Sequence, residues 1–206
     1  MKTMTRATAG GAALACLGEH RNDLSPSVTS HLEVAGGDTT LVIVDMQDRF
    51  LSNWDDPSQV PTEAILRQIQ QAMKMGWGIV LLEMKPWRLG ETISPIVELL
   101  EGKYSRFVRR SKQTPSGAKE LLEACYENGF GMGLFRITGV YLDACVLETA
   151  LGVLDREPAS LVRLMQEGCS TDIDVRGAWS WVQQQTRAQL RIAISSERID
   201  SEVSEN

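Results

Sequence analysis

The chain has 206 residues, 43% hydrophobic and 23% charged, enough for one α/β domain with a sizeable core. Its formal net charge of −6 speaks against a nucleic-acid or anionic-membrane partner. Arg109-Arg110-Ser111-Lys112, the one tight basic cluster, is too short for a phosphate-binding patch. Cys16, Cys125, Cys145 and Cys169 show no Cys-x-x-Cys spacing, so neither a zinc site nor a dithiol redox pair is expected, and a reducing cytoplasm is the natural setting.

Residues 1–38 lack periodicity and read as a poorly ordered extension. Within it, Ala7–Cys16 has only a faint likeness to the apolar core of an export signal, being short and broken by glycine. From Thr39 short apolar runs alternate with helical-period segments, as in βαβ units. The runs are Leu41–Asp45, Ile79–Glu83, Phe107–Arg109, Leu134–Val140, Leu161–Met165 and Leu190–Ile194. Between them, Ile65, Ile69, Ala72 and Met73 share one helical face, as do Ala118, Leu121, Leu122 and Cys125. Ala144–Leu154 is apolar nearly all round and predicts a deeply buried helix. The expectation for residues 39–196 is a three-layer αβα sandwich on a six-stranded, mostly parallel, Rossmann-like sheet, followed by an acidic tail over 197–206. No apolar run approaches the ~18 residues of a membrane-spanning helix.

In an open parallel sheet, ligands gather at the carboxyl ends of the strands. Asp45 closes the first run, Lys112 follows the third and Cys145 follows the fourth. A thiol at the start of a helix meets unpaired N–H groups that favour its thiolate. The two histidines, His20 and His31, both fall in the extension, so a Cys–His pair is not expected. A nucleophilic Cys145 would pass its proton to Asp45, with Lys112 as the electrostatic partner. Cys125 and Cys169 read as structural. Gly129-x-Gly131-x-Gly133 precedes a strand instead of following one, so it is not a dinucleotide fingerprint.

The stretches Leu41-Val-Ile-Val-Asp45-Met-Gln47-Asp-Arg-Phe50 and Ile137-Thr-Gly-Val-Tyr-Leu-Asp-Ala-Cys145-Val-Leu-Glu-Thr-Ala150, with Lys112 between them, resemble the isochorismatase-like cysteine hydrolases. The resemblance covers roughly residues 39 to 195. It implies an Asp45–Lys112–Cys145 triad, attack of the cysteine on a carbonyl carbon, and hydrolysis of a thioester by water. It further implies a cis peptide between Val140 and Tyr141 that places the Tyr141 and Cys145 N–H groups around an oxyanion. A homodimer or homotetramer acting on a small-molecule substrate is implied as well. Gln47, Phe50, Trp54 and Trp87 are the candidates for the substrate pocket.

Departures from the family pattern narrow the expectation. Leu51–Asp56 contains no histidine, so no metal or other cofactor is expected and nicotinamide is a poor substrate guess. Cys145 itself favours amide or other C–N chemistry over vinyl-ether hydrolysis. A phosphatase using Asp45 as phospho-acceptor would need a carboxylate two residues on, where Gln47 stands. The alternative is a non-catalytic binding or scaffold protein that keeps the fold, and the region after Lys112, which lacks the expected aromatic, leaves it open.

Overall fold

A computed structural model describes residues 38–52 and 54–196. The expectations for the extension, its two histidines and Cys16, and for the acidic tail, lie outside the described residues.

Six strands form the sheet: β1 (Thr39–Val44), β2 (Gly78–Met84), β3 (Phe107–Lys112), β4 (Leu134–Gly139), β5 (Leu161–Cys169) and β6 (Ile192–Ser195). Their spatial order is β3-β2-β1-β4-β5-β6 and every pairing is parallel, not merely most of them. β1 and β2 are buried on both faces, which explains their unbroken apolar runs. β3 runs four residues past its apolar start, through Arg109, Arg110 and Ser111 to Lys112. It lies at the sheet edge, where polar side chains reach solvent.

The helices are α1 (Asp48–Leu51), α2 (Thr62–Met75), α3 (Pro86–Leu89), α4 (Ser94–Leu100), α5 (Ala118–Asn128), α6 (Leu147–Arg156) and α7 (Val175–Arg187). Alternating strand side chains divide the core in two. Leu41, Ile43, Ile79 and Leu81 pack with Ile65, Ile69 and Ala72 of α2 and Ile96 and Leu100 of α4. Val42, Val44, Val80 and Leu82 pack on the other face with α5, α6 and α7 through Leu121, Val153 and Val182. Three layers result. The two helical faces read from periodicity point inward, although Met73 and Leu122 are only partly buried.

The glycine run has a structural part here. Asp38 accepts hydrogen bonds from the Met132 and Gly133 N–H groups, and Thr40 Oγ1 donates to the Gly131 carbonyl. These bonds fasten the start of β1 to the loop before β4.

After β1 the chain builds outward through β2 and β3, whereas β4 returns to β1's other side. The gap beyond the carboxyl ends of β1 and β4 is therefore the switch point of the sheet, where such folds hold ligands. Gly139 ends β4 there with φ at 124°, and a Cβ on it would lie 2.1 Å from the Val44 carbonyl oxygen. By contrast, Gly76 also has positive φ but nothing within 4 Å of such an atom. Gly76→Ala is expected to cost about 1 kcal/mol from backbone conformation alone. Gly139→Ala should cost at least about 2 kcal/mol more, because the strand must move aside. Chemical denaturation of the two variants measures the difference, and equal losses would contradict the close contact at the switch point.

Candidate active site

Asp45 follows β1 in the left-handed region, at φ 54°, while its N–H donates to Leu82. Lys85, after β2, is the other described non-glycine residue with positive φ. A non-glycine residue in this region costs roughly 1–3 kcal/mol and persists when its surroundings fix it. Here the fixing contacts are visible. Asp45 Oδ1 accepts from the Met84 N–H at 3.1 Å and Oδ2 accepts from Lys112 Nζ at 2.8 Å.

Both partners of that ion pair are fully buried. Lys112 reaches Asp45 from the edge strand, past β2. Its ammonium also donates to the carbonyls of Thr114 at 3.3 Å and Pro115 at 2.8 Å. An ammonium has three donors, and all three are engaged. Lys112 thus holds the carboxylate in place and supplies charge, without an N–H left over for a ligand.

Cys145 lies in a single π turn, Leu142–Val146, that leads into α6. Its side chain is hydrogen-bonded with Asp45 and lies against Lys112. The thiol does not have the lowered pKa expected of a helix start. Burial, the negative Asp45 and its hydrogen bond push it up to about 12, against the opposing pull of Lys112. The resting group is a neutral thiol. Asp45 is itself shifted upward, by burial, while Lys112 and the hydrogen bonds from Cys145 and Met84 oppose that shift. A carboxylate made more basic by burial, beside a neutral thiol, is the arrangement a general base needs.

The bond between Val140 and Tyr141 is cis. Val140 faces the core and its N–H donates to Val44 at 3.0 Å. Tyr141 stands at the cleft between Phe50, edge-on at 5.5 Å between ring centres, and Trp54, tilted at 6.4 Å. Burial and the nearby negative charge of Asp172 push the Tyr141 hydroxyl's pKa up. The Trp54 indole N–H lies close to the same hydroxyl but falls short of hydrogen-bond geometry.

Two pocket candidates are placed differently from expectation. Gln47 is wholly buried, and its side chain is taken up by backbone. Its Nε2 donates to Met84 and Gly90, and its Oε1 accepts from the Met84 N–H at 2.7 Å. It braces the cleft and presents no polar atom to a substrate. Trp87, on the one-turn helix α3, is 69% exposed and is not enclosed within the single chain. Cys125 and Cys169 are buried in the core, as expected of structural cysteines.

Thr149 was not singled out by the sequence reading, although it lies one turn after Cys145. It is wholly buried; its Oγ1 donates to the Cys145 carbonyl at 2.7 Å and accepts from the Gly117 N–H at 3.0 Å. Ser116 Oγ adds a bond to the Glu148 carbonyl at 3.2 Å. The loop whose carbonyls hold Lys112 is thereby tied to the helix that follows Cys145. Only the i+4 spacing of a hydroxyl from the thiol hinted at this.

Among the described residues no three His, Cys, Asp or Glu side chains converge to hold a metal ion. Asp56, the last carboxylate of the Leu51–Asp56 stretch, caps a short 3-10 turn through Ser58. No helix among the described residues is long and apolar enough to cross a membrane.

Comparison with known proteins gives no matching family model, and no curated protein matches in sequence. Solved structures do match. A nicotinamidase from Staphylococcus aureus superposes with a TM-score of 0.65 at 17% identity, covering 77% of this chain and 99% of that one. A MAR1 ribonuclease from Caenorhabditis elegans gives 0.64 at 20% identity, covering 79% and 78%. A nicotinamidase from Bacillus subtilis gives 0.62 at 14% identity, covering 77% and 99%. The fold of this chain is the isochorismatase-like hydrolase fold.

Thr149→Val keeps the shape but leaves the Gly117 N–H without its acceptor, and should cost about 1–3 kcal/mol in denaturation. Thr149→Ser should recover most of that loss. A stable Thr149→Val beside a destabilised Thr149→Ser would show that the methyl group matters and not the hydroxyl.

Proposed function

We propose that the protein is a cysteine-dependent hydrolase of a small, non-peptide amide or other C–N bond, working through a thioester. One observation carries this reading: a thiol meets a buried carboxylate–ammonium pair, Asp45 and Lys112, at the switch point of the sheet. Structural neighbours named as amidases support the reaction class.

In this reading the thiol proton passes to Asp45 as sulfur bonds to the substrate carbonyl carbon. The oxygen takes the charge, and we assign the backbone N–H groups of Tyr141 and Cys145 as its donors. Asp45 then returns the proton to the nitrogen as the C–N bond breaks, leaving a thioester. Water, deprotonated by Asp45, attacks the thioester. Its collapse releases the acid and restores the thiol. Lys112 keeps the carboxylate oriented throughout, and Phe50, Trp54 and Tyr141 border the approach to the sulfur. The name of one neighbour invites a ribonuclease reading. It finds little support, since every donor of Lys112 is engaged and the protein is acidic.

A screen for ammonia release across small amides and carbamoyl compounds tests the proposal, with Cys145→Ala inactive yet cooperatively folded. Asp45→Asn is expected to move two readouts in opposite directions. Turnover should fall about a hundredfold or more with the base removed. Alkylation of Cys145 by iodoacetamide near neutral pH should speed up, because the charge that raises the thiol pKa is gone. In the unaltered protein that alkylation should keep rising with pH, without levelling below about pH 10, since only the thiolate reacts. Turnover retained in Cys145→Ala would end the covalent mechanism, and no turnover on any compound would favour the non-catalytic alternative.

A further inference from the structure

Trp54 is buried beside the cleft, yet its indole N–H finds no hydrogen-bond acceptor among the described residues. Buried indoles usually have one, because the water given up on folding must be replaced. We propose that this N–H is a substrate contact: it donates to a second, uncharged acceptor oxygen carried by the amide that reacts at Cys145. The proposal rests on the hydrolase reading for its substrate. It adds a specificity-determining residue and a chemical class, a small amide with a neutral carbonyl a few bonds from the scissile one.

The contacts around Trp54 tie the indole to the reacting groups. Its ring lies 6.4 Å from that of Tyr141, which also meets Phe50 edge-on at 5.5 Å. The Trp54 backbone N–H donates to the Leu51 carbonyl at 3.3 Å, joining it to the end of α1. Trp54 shares one cluster of buried side chains with Met46 and Val140, the sequence neighbours of Asp45 and Tyr141. The Tyr141 hydroxyl beside the indole is within electrostatic reach of Cys145, whose charge contributes to raising its pKa. An acceptor held by the indole therefore shares one cleft with the sulfur.

The surroundings set the class of ligand. The Tyr141 hydroxyl lies close but outside hydrogen-bond geometry, so the indole proton remains available. Asp172 places a negative charge near that hydroxyl, which disfavours an anion at the same spot. An amide carbonyl is a neutral acceptor that satisfies the donor, whereas a methylene there would leave it stranded. Trp77 provides the comparison. Its indole N–H also lacks an acceptor among the described residues, but it stands before β2, at the opposite end of the sheet from Cys145. The Arg136 guanidinium covers its ring at 5.1 Å.

N-bromoacetyl derivatives of the methylamides of glycine, β-alanine and 4-aminobutyrate carry a second carbonyl at increasing distance, and N-bromoacetyl alkylamines of matched length carry none. Alkylation of Cys145 in the full chain by each reagent tests the proposal without requiring turnover. Peptide mass spectrometry reads the rates, each divided by the reagent's rate with free cysteine. At one length the diamide should label Cys145 about tenfold faster than its alkyl counterpart, the contribution of an acceptor to an otherwise stranded donor. Trp54→Phe should bring that ratio towards one. In the unaltered protein carrying nitrogen-15 in its indoles, labelling with that diamide should move the Trp54 indole N–H resonance downfield, and labelling with the alkyl counterpart should not. This second readout keeps the test open should the variant misfold. Equal rates at every length, a preference that survives Trp54→Phe, or a resonance that stays in place would each overturn the contact. Because labelling needs no turnover, a diamide preference without hydrolysis of any amide would leave the contact standing and remove the hydrolase.

Discussion

The cleft is organised around an ion pair that water does not reach. Asp45 and Lys112 are far apart in sequence, stand at the ends of different strands, and meet at 2.8 Å with no exposed surface on either. Taking two charges out of water costs several kcal/mol each, and mutual attraction repays that only when the remaining donors and acceptors are satisfied. They are satisfied here. The ammonium has three acceptors, while the carboxylate accepts from Lys112 and from the Met84 N–H. The constraint reaches outward: Asp45 takes a left-handed conformation, β3 extends to deliver the lysine, and the loop after it is tied to α6 by Thr149.

The same pair sets the state of the sulfur. A helix start alone would favour a thiolate, yet the thiol sits in a buried place beside a negative charge, and both raise its pKa. The site is therefore poised as neutral thiol beside an acceptor, and under the proposed hydrolysis the nucleophile is made during attack instead of being stored. Such an arrangement protects a cysteine from adventitious oxidation, which acts on thiolates.

Much of the fold could be read from the chain because buried parallel strands leave unbroken apolar runs, as Leu41–Val44 and Ile79–Leu82 do. Asp45 and Cys145 were legible for the same reason, each standing where such a run ends. Lys112 was harder. The charged residues of β3 hide the strand that carries it, since an edge position removes the need for apolar side chains. One-turn helices such as α1 and α3 leave no periodicity to detect, so neither could be read from the sequence. Gln47 looked like a pocket residue by its position, and only the backbone of β2, brought alongside by the sheet, shows what its amide holds. The thiol's pKa differs from the expectation because burial, its largest cause, comes from tertiary packing that local spacing does not encode.

A double-mutant cycle on Asp45→Asn and Lys112→Met, followed by chemical denaturation near neutral pH, tests the dependence on this ion pair most directly. Each single change strands a buried charge or its donors and should cost about 3–5 kcal/mol. The double variant should lose less than the sum by at least about 2 kcal/mol, the signature of two groups that need each other. Additive losses would contradict the account, since they would mean that carboxylate and ammonium are held independently and that the cleft is not built around their contact.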